Sequence, residues 1–275
     1  MYMFKDCLEN VRKKKPLIHN ITNYVTVNDV ANALLAIGAS PIMADEGEEV
    51  EEITSICDGL NINIGTLNKH TIEAMKIAGK KASELHHALL LDPVGAGASS
   101  LRSATAASLM DEIAFDVVRG NVSELKALAL GATSTQGVDA SEADVVTQDN
   151  LNEMVHFTMN YAKKTNKIIA ITGAIDLVAD REHCFIIYNG RKEMSRITGT
   201  GCMLSGIMTA FLAANSDNKL EAAAAAICTM GLAGEIGYRY LTEGEGNASY
   251  RNHIIDALYH MDGKTLEEGA RYEWR

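Results

Sequence analysis

Short apolar runs alternate with longer stretches of helical periodicity along most of the chain. Six runs rich in β-branched residues read as strands: 16–22 (PLIHNIT), 40–44 (SPIMA), 59–65 (GLNINIG), 88–94 (ALLLDPV), 115–121 (FDVVRGN) and 167–173 (KIIAITG). Between them, segments such as TLNKHTIEAMKIAGKKASEL and TQDNLNEMVHFTMNYAKKT repeat apolar residues at the interval of a helix with one buried face. Strand and helix alternating at this spacing build βαβ units. They predict an α/β fold with a central, mainly parallel sheet flanked by helices on both faces. Two later runs, DLVAD and CFIIYNG, are joined by a short connection and predict an antiparallel hairpin at the sheet edge. From Gly201 onward the chain is alanine-rich and reads as almost wholly helical. No proline- or serine-rich linker and no internal repeat breaks the pattern, so residues 1–275 are expected to form one domain.

Composition narrows the class. With 47% hydrophobic residues, 22% charged residues and 3 prolines, the chain reads as an ordinary soluble globular protein. A chain of this size buries roughly three quarters of its unfolded surface and needs no disulfide or metal staple. The formal net charge is −11, and RKKK at 12–15 is an isolated basic cluster. That balance argues against generic nucleic-acid or anionic-membrane partners. A phosphate must then be handled locally, by glycine loops, helix N-termini, an arginine or a metal. The cysteines number 5, are widely spaced and contain no CxxC, which fits a reducing compartment and not a zinc cluster. The N-terminus lacks the order of a signal peptide, and the apolar tracts near Cys202 and Ala222 read as shorter than the roughly 20 residues of a membrane span. A cytoplasmic protein is expected.

In open α/β sheets ligands bind beyond the carboxyl ends of the strands, and polar and glycine residues concentrate there. In LLLDPVGAGAS, Asp92 closes an apolar strand before a glycine-alanine turn. It is a candidate ligand for Mg²⁺, or a carboxylate that merely caps the turn. In RGNVSEL, Asn121 and Glu124 form a variant of the capping box; the alternative is that Glu124 orients hydrated Mg²⁺ while Arg119 faces phosphate oxygens. Thr172 and Gly173 end a further strand, where a hydroxyl contacts phosphate or caps the turn. In ITGTGCMLSG, Gly199 and Gly201 let backbone N–H groups converge at the mouth of a helix, a nest suited to a transferring phosphoryl group. It is neither a Walker A loop nor the GxGxxG dinucleotide fingerprint. DEGEEVEEI at 45–53 reads as a solvated helix with acids at its N-terminal end.

These four stretches in this order resemble the ribokinase-like superfamily of small-molecule kinases. PLIHNITNYVTVNDVANALLAIGASPIMA at 16–44 closely resembles the N-terminal signature of the hydroxyethylthiazole kinase family, and the other motifs match it too, so the resemblance covers nearly the whole chain. It implies a ribokinase-like three-layer fold and ATP- and Mg²⁺-dependent phosphorylation of the primary alcohol of 4-methyl-5-(2-hydroxyethyl)thiazole, a step of thiamine salvage. It also implies a homotrimer with its thiazole pockets at subunit interfaces. Carried over by motif, Met43, Gly199 and Asn23 would bind the thiazole, Arg119 and Thr172 would contact ATP, and Asp92 and Glu124 would serve Mg²⁺. Cys202 stands where many superfamily relatives carry an aspartate that acts as base, and the nearer family carries cysteine. A helix N-terminus favours thiolate, and phosphoryl transfer through a loose transition state asks little of a base. Cys202 is therefore expected to be the catalytic residue, a weak base or hydroxyl-orienting contact and not a covalent nucleophile; the alternative is a residue that only shapes the pocket. Three other functions stay open at this point. They are a hydroxymethylpyrimidine kinase, an ATP-dependent dehydratase of hydrated nicotinamide cofactors, and a non-catalytic nucleotide-binding regulator.

Overall fold

The computed structural model describes residues 4–131 and 145–275. All six apolar runs are strands: β1 (Leu17–Ile21), β2 (Ser40–Met43), β3 (Gly59–Asn63), β4 (Ala88–Asp92), β5 (Val117–Gly120) and β6 (Ile168–Ile171). They pair in parallel, and β7 (Asp176–Ala179) and β8 (Cys184–Ile187) form the expected antiparallel hairpin. With a last strand, β9 (Tyr272–Trp274), the sheet runs in the order β2-β1-β3-β4-β5-β6-β7-β8-β9.

Strand β9 (Tyr272–Trp274) corrects the expectation of an almost wholly helical C-terminal part. It is only three residues long and exposed, so it carries no readable alternation. Its aromatic residues hold it in place: the Trp274 and Tyr272 rings lie edge-on to Phe185, with centroids 4.4 and 5.6 Å away.

Helices α1 (Phe4–Lys14), α2 (Val27–Ala36), α8 (Thr200–Ala214), α9 (Lys219–Arg239), α10 (Asn247–His260) and α11 (Gly263–Gly269) share one core with Ile18, Leu90, Val117 and Phe185. On the other face α3 (Val50–Ser55), α4 (Lys69–Glu84), α5 (Ser100–Glu112), α6 (Val122–Leu130) and α7 (Leu151–Thr165) pack with Leu60, Ile62, Leu89 and Leu91. Successive strand residues point to opposite faces, so β4 sends Leu90 into one core and Leu89 and Leu91 into the other. A strand covered on both faces must be apolar throughout, which is why β4 reads as an unbroken run.

Two further expectations change. The acidic run at 45–53 is a turn followed by the short α3, which buries Val50 and Thr54. Helix α9, at 21 residues, is long enough to cross a membrane, contrary to the reading of the tract near Ala222, but 83% of its most apolar stretch is buried inside the protein. Alanines at 222–226 let neighbouring helices approach closely, and the length serves packing.

Candidate functional site

Asp92 is the last residue of β4 and is fully buried, carried inward by the leucines before it. Its Oδ2 accepts hydrogen bonds from Ser205 Oγ (2.7 Å) and Asn63 Nδ2 (2.9 Å) and faces Arg119 Nη1 at 3.4 Å. Its Oδ1 is buried with no hydrogen-bond partner among the described residues. Burial pushes the carboxyl up to about 6, against the pull of Arg119.

Arg119 comes from β5, beside β4. Its Nη2 donates to Thr172 Oγ1, just beyond β6, at 2.6 Å. A Cβ at Gly201 would lie 2.8 Å from Nη1, so the second glycine of the nest is what lets the guanidinium approach the start of α8. Asn121 and Glu124 form a complete capping box on α6. Glu124 Oε2 accepts from Asn121 N and Oε1 from Gly95 N, each at 2.8 Å, so this carboxylate fastens the turn after Asp92 to the start of α6.

Gly199 caps α8 with φ +93°, and a Cβ there would meet Thr26 Cγ2 at 2.7 Å. Gly199→Ala is expected to cost about 1–2 kcal/mol for the backbone alone, with the Thr26 contact in addition. Thermal melting reads this as a loss of several degrees. One turn into α8, Cys202 Sγ accepts from Asn23 Nδ2 (3.1 Å) and Asn63 Nδ2 (3.3 Å). Thr26 Oγ1 in turn donates to Asn23 Oδ1 (3.0 Å), which turns the amide nitrogen of Asn23 toward the sulfur.

A cavity of about 650 Å³ opens beside this cluster. Arg119, Thr172, Thr200 and Gly201 form a polar part of its wall, and Leu204, Ile227 and Met230 an apolar part. Asp176 also lines it; its carboxyl accepts from Gly173 N at 2.8 Å and is pushed up to about 7 by burial. The structure thus brings Asp92, Arg119 and Thr172 together, and sets Gly199, Cys202 and Asn23 at the adjoining helix mouth. Met43 ends the outermost strand β2, opposite Asn20 of β1, and lines no part of this cavity.

Sequence reading missed Asn63 and Ser205, both of which hold Asp92. The signal for Asn63 was present, since a polar residue in a fully buried interior strand is unusual. Ser205 lies three residues after Cys202, on the same helix face.

Among the described residues no group of three or more His, Cys, Asp or Glu side chains is placed to hold a metal. Mg²⁺ needs less, because it is commonly bound by one or two carboxylates together with substrate phosphates and water. The unpartnered Asp92 Oδ1 suits that role. Glu124 is already engaged through both oxygens.

Comparison with known proteins gives the family and the fold. The model of the hydroxyethylthiazole kinase family matches residues 8–264. The hydroxyethylthiazole kinase of Clostridium acetobutylicum is 57% identical over 271 residues, 98% of this chain and 99% of that one. A solved structure of a hydroxyethylthiazole kinase protein from Pyrococcus horikoshii OT3 superposes with a TM-score of 0.87 at 36% identity, covering 99% of this chain and 98% of that chain. The Staphylococcus aureus pyridoxal kinase in complex with AMP-PCP and pyridoxal matches at a TM-score of 0.63 and 14% identity, over 94% and 98% of the two chains, a likeness of fold alone.

Proposed function

Because this chain belongs to the hydroxyethylthiazole kinase family, it is a thiazole kinase of thiamine salvage, and we propose that the cluster around Asp92, Arg119 and Cys202 carries out the transfer from ATP. The observation that supports this most is the meeting, at the start of α8, of a phosphate-type wall with a cysteine sulfur held by two amide donors. Arg119 and the first-turn N–H groups of α8, which have no partner within the helix, face the charge that develops on the phosphoryl oxygens. Thr172 holds Arg119 in that pose. Asp92, through Oδ1, would hold Mg²⁺, with Glu124 keeping the adjoining turn in place. When bound, the ion neutralises phosphate charge and orients the transferring group. Cys202 accepts a hydrogen bond or the proton from the substrate alcohol, and the nearby Asn23 and Gly199 shape the thiazole end.

The same reading places the enzyme in the cytoplasm as a homotrimer. Tyr24 and Val25, 78% and 60% exposed, lay apolar surface beside Asn23, and Met43 sits on the edge strand. Both features support a thiazole pocket that a second subunit completes.

The test is ADP release from MgATP with hydroxyethylthiazole or hydroxymethylpyrimidine as acceptor, with the product identified by mass. Thiazole-dependent ADP and a phosphorylated thiazole are the expected result. Turnover with the pyrimidine alone would keep the phosphate machinery and reject the roles given to Met43, Gly199 and Asn23.

A further inference from the structure

Asn63 is the last residue of β3 and is 1% exposed, and all four of its side-chain hydrogen-bonding positions are filled. Oδ1 accepts from Gly65 N (2.9 Å) and Asn23 Nδ2 (3.1 Å), while Nδ2 donates to Asp92 Oδ2 (2.9 Å) and Cys202 Sγ (3.3 Å). The orientation of this amide is fixed by chemistry. Gly65 offers a backbone N–H that only an oxygen can receive, and a flipped amide would also turn its oxygen onto the Asp92 carboxylate. Two amide N–H donors therefore converge on Cys202, one from Asn23 and one from Asn63, and the sulfur can only accept from them. Among the described residues Asn63 is the side chain that bonds both Asp92 and Cys202, which lie 110 positions apart in sequence.

We propose that Asn63 is a positioning residue: its carboxamide holds the Cys202 sulfur as an acceptor and locks it in register with the Asp92 carboxylate. The proposal rests on the reading of Cys202 as the group that meets the substrate alcohol. The bonds from Asn23 and Asn63 occupy two lone pairs of the sulfur, so as a thiol its S–H points to the outer side, and only as a thiolate does a third lone pair face outward to receive the alcohol. Because the same amide grips Asp92, the acceptor sulfur and the phosphate end of the site keep a fixed separation. This does for sulfur what preorganised donors do for an oxyanion.

The experiment compares the full-length protein with Asn63→Asp and Asn63→Ala. Asn63→Asp keeps the shape and the oxygen that receives Gly65 and Asn23, so the turn after β3 holds; it removes both N–H donors. The readouts are kcat, the KM for ATP, and the rate at which iodoacetamide alkylates Cys202 at one fixed neutral pH without substrates. The other four cysteines are buried, so the label reports this thiol. Alkylation in Asn63→Asp is expected to slow about tenfold, and kcat in both variants to fall about tenfold or more, with the KM for ATP nearly unchanged. Alkylation of Asn63→Asp at the wild-type rate overturns the proposal. So does a KM for ATP that rises in step with the loss of kcat, because Asn63 would then act through the nucleotide end alone. If alkylation slows but the wild type phosphorylates no thiazole, the substrate reading fails while the hold of Asn63 on the sulfur stands.

Discussion

Asp92→Asn is expected to remove nearly all turnover and, at the same time, to stabilise the ligand-free protein at neutral pH. The carboxyl is fully buried, and its folded-state value of about 6 lies above the ordinary 3.8. Between those values the folded protein holds the proton more tightly than the unfolded chain. The stability this contributes is fully present below about pH 3.8 and is lost as pH rises through about 6. Asparagine copies the protonated form at every pH. A raise of about two pKa units caps the gain on the order of 3 kcal/mol. The real gain is smaller, because one end of the new amide occupies the unpartnered Oδ1 position. Turnover falls about 100- to 1000-fold, the loss typical when one charge-stabilising group leaves a preorganised site. Melting curves of variant and wild type should separate near pH 7.5 and converge near pH 4, with ADP release measured alongside. A variant that loses turnover and also melts lower at pH 7.5 would show that the carboxylate holds the fold and is not strained for function.

The parts of this arrangement that are local in sequence were legible there. A leucine run ending in Asp92 announces a buried strand with a carboxylate at its carboxyl end, and both appear as read. Asn121 and Glu124 carried two readings, and the structure forms the capping box through Glu124 Oε2, while Oε1 accepts from Gly95 N. What was not legible is what the sheet order brings together. Arg119 reaches Thr172 because β5 lies beside β6, and Asp92 because β4 lies on its other side. Neither distance can be read from spacing. Asn63 was visible as a polar residue in an apolar strand, but its role was hidden for a related reason: its partners come from the segment after β1, from β4 and from α8, which only the fold brings together. Strand β9 was missed because three exposed residues after a helix owe their conformation to pairing with β8 and to Phe185.

Arg119→Met should lower kcat/KM for ATP by about 100- to 1000-fold while leaving the fold intact. Methionine fills the space of the stem and removes the positive charge. Three functions end with that one change. The phosphate wall loses its cation, Thr172 loses its donor, and Asp92 loses the charge that holds its carboxyl down. The last of these fixes the direction of a second effect. With Arg119 gone, only the hydrogen bonds from Ser205 and Asn63 still oppose burial at Asp92, its pKa rises further, and the residual activity should need a higher pH than the wild type. Arg119→Lys separates charge from shape. Lysine restores a positive charge, but a single ammonium does not reproduce the planar fork that spans Asp92 Oδ2 and Thr172 Oγ1. It should therefore recover much of the pH profile and little of the turnover. If Arg119→Lys matched the wild type in kcat, the fork would be irrelevant, and the glycine at 201 would have no catalytic reason to leave room for it.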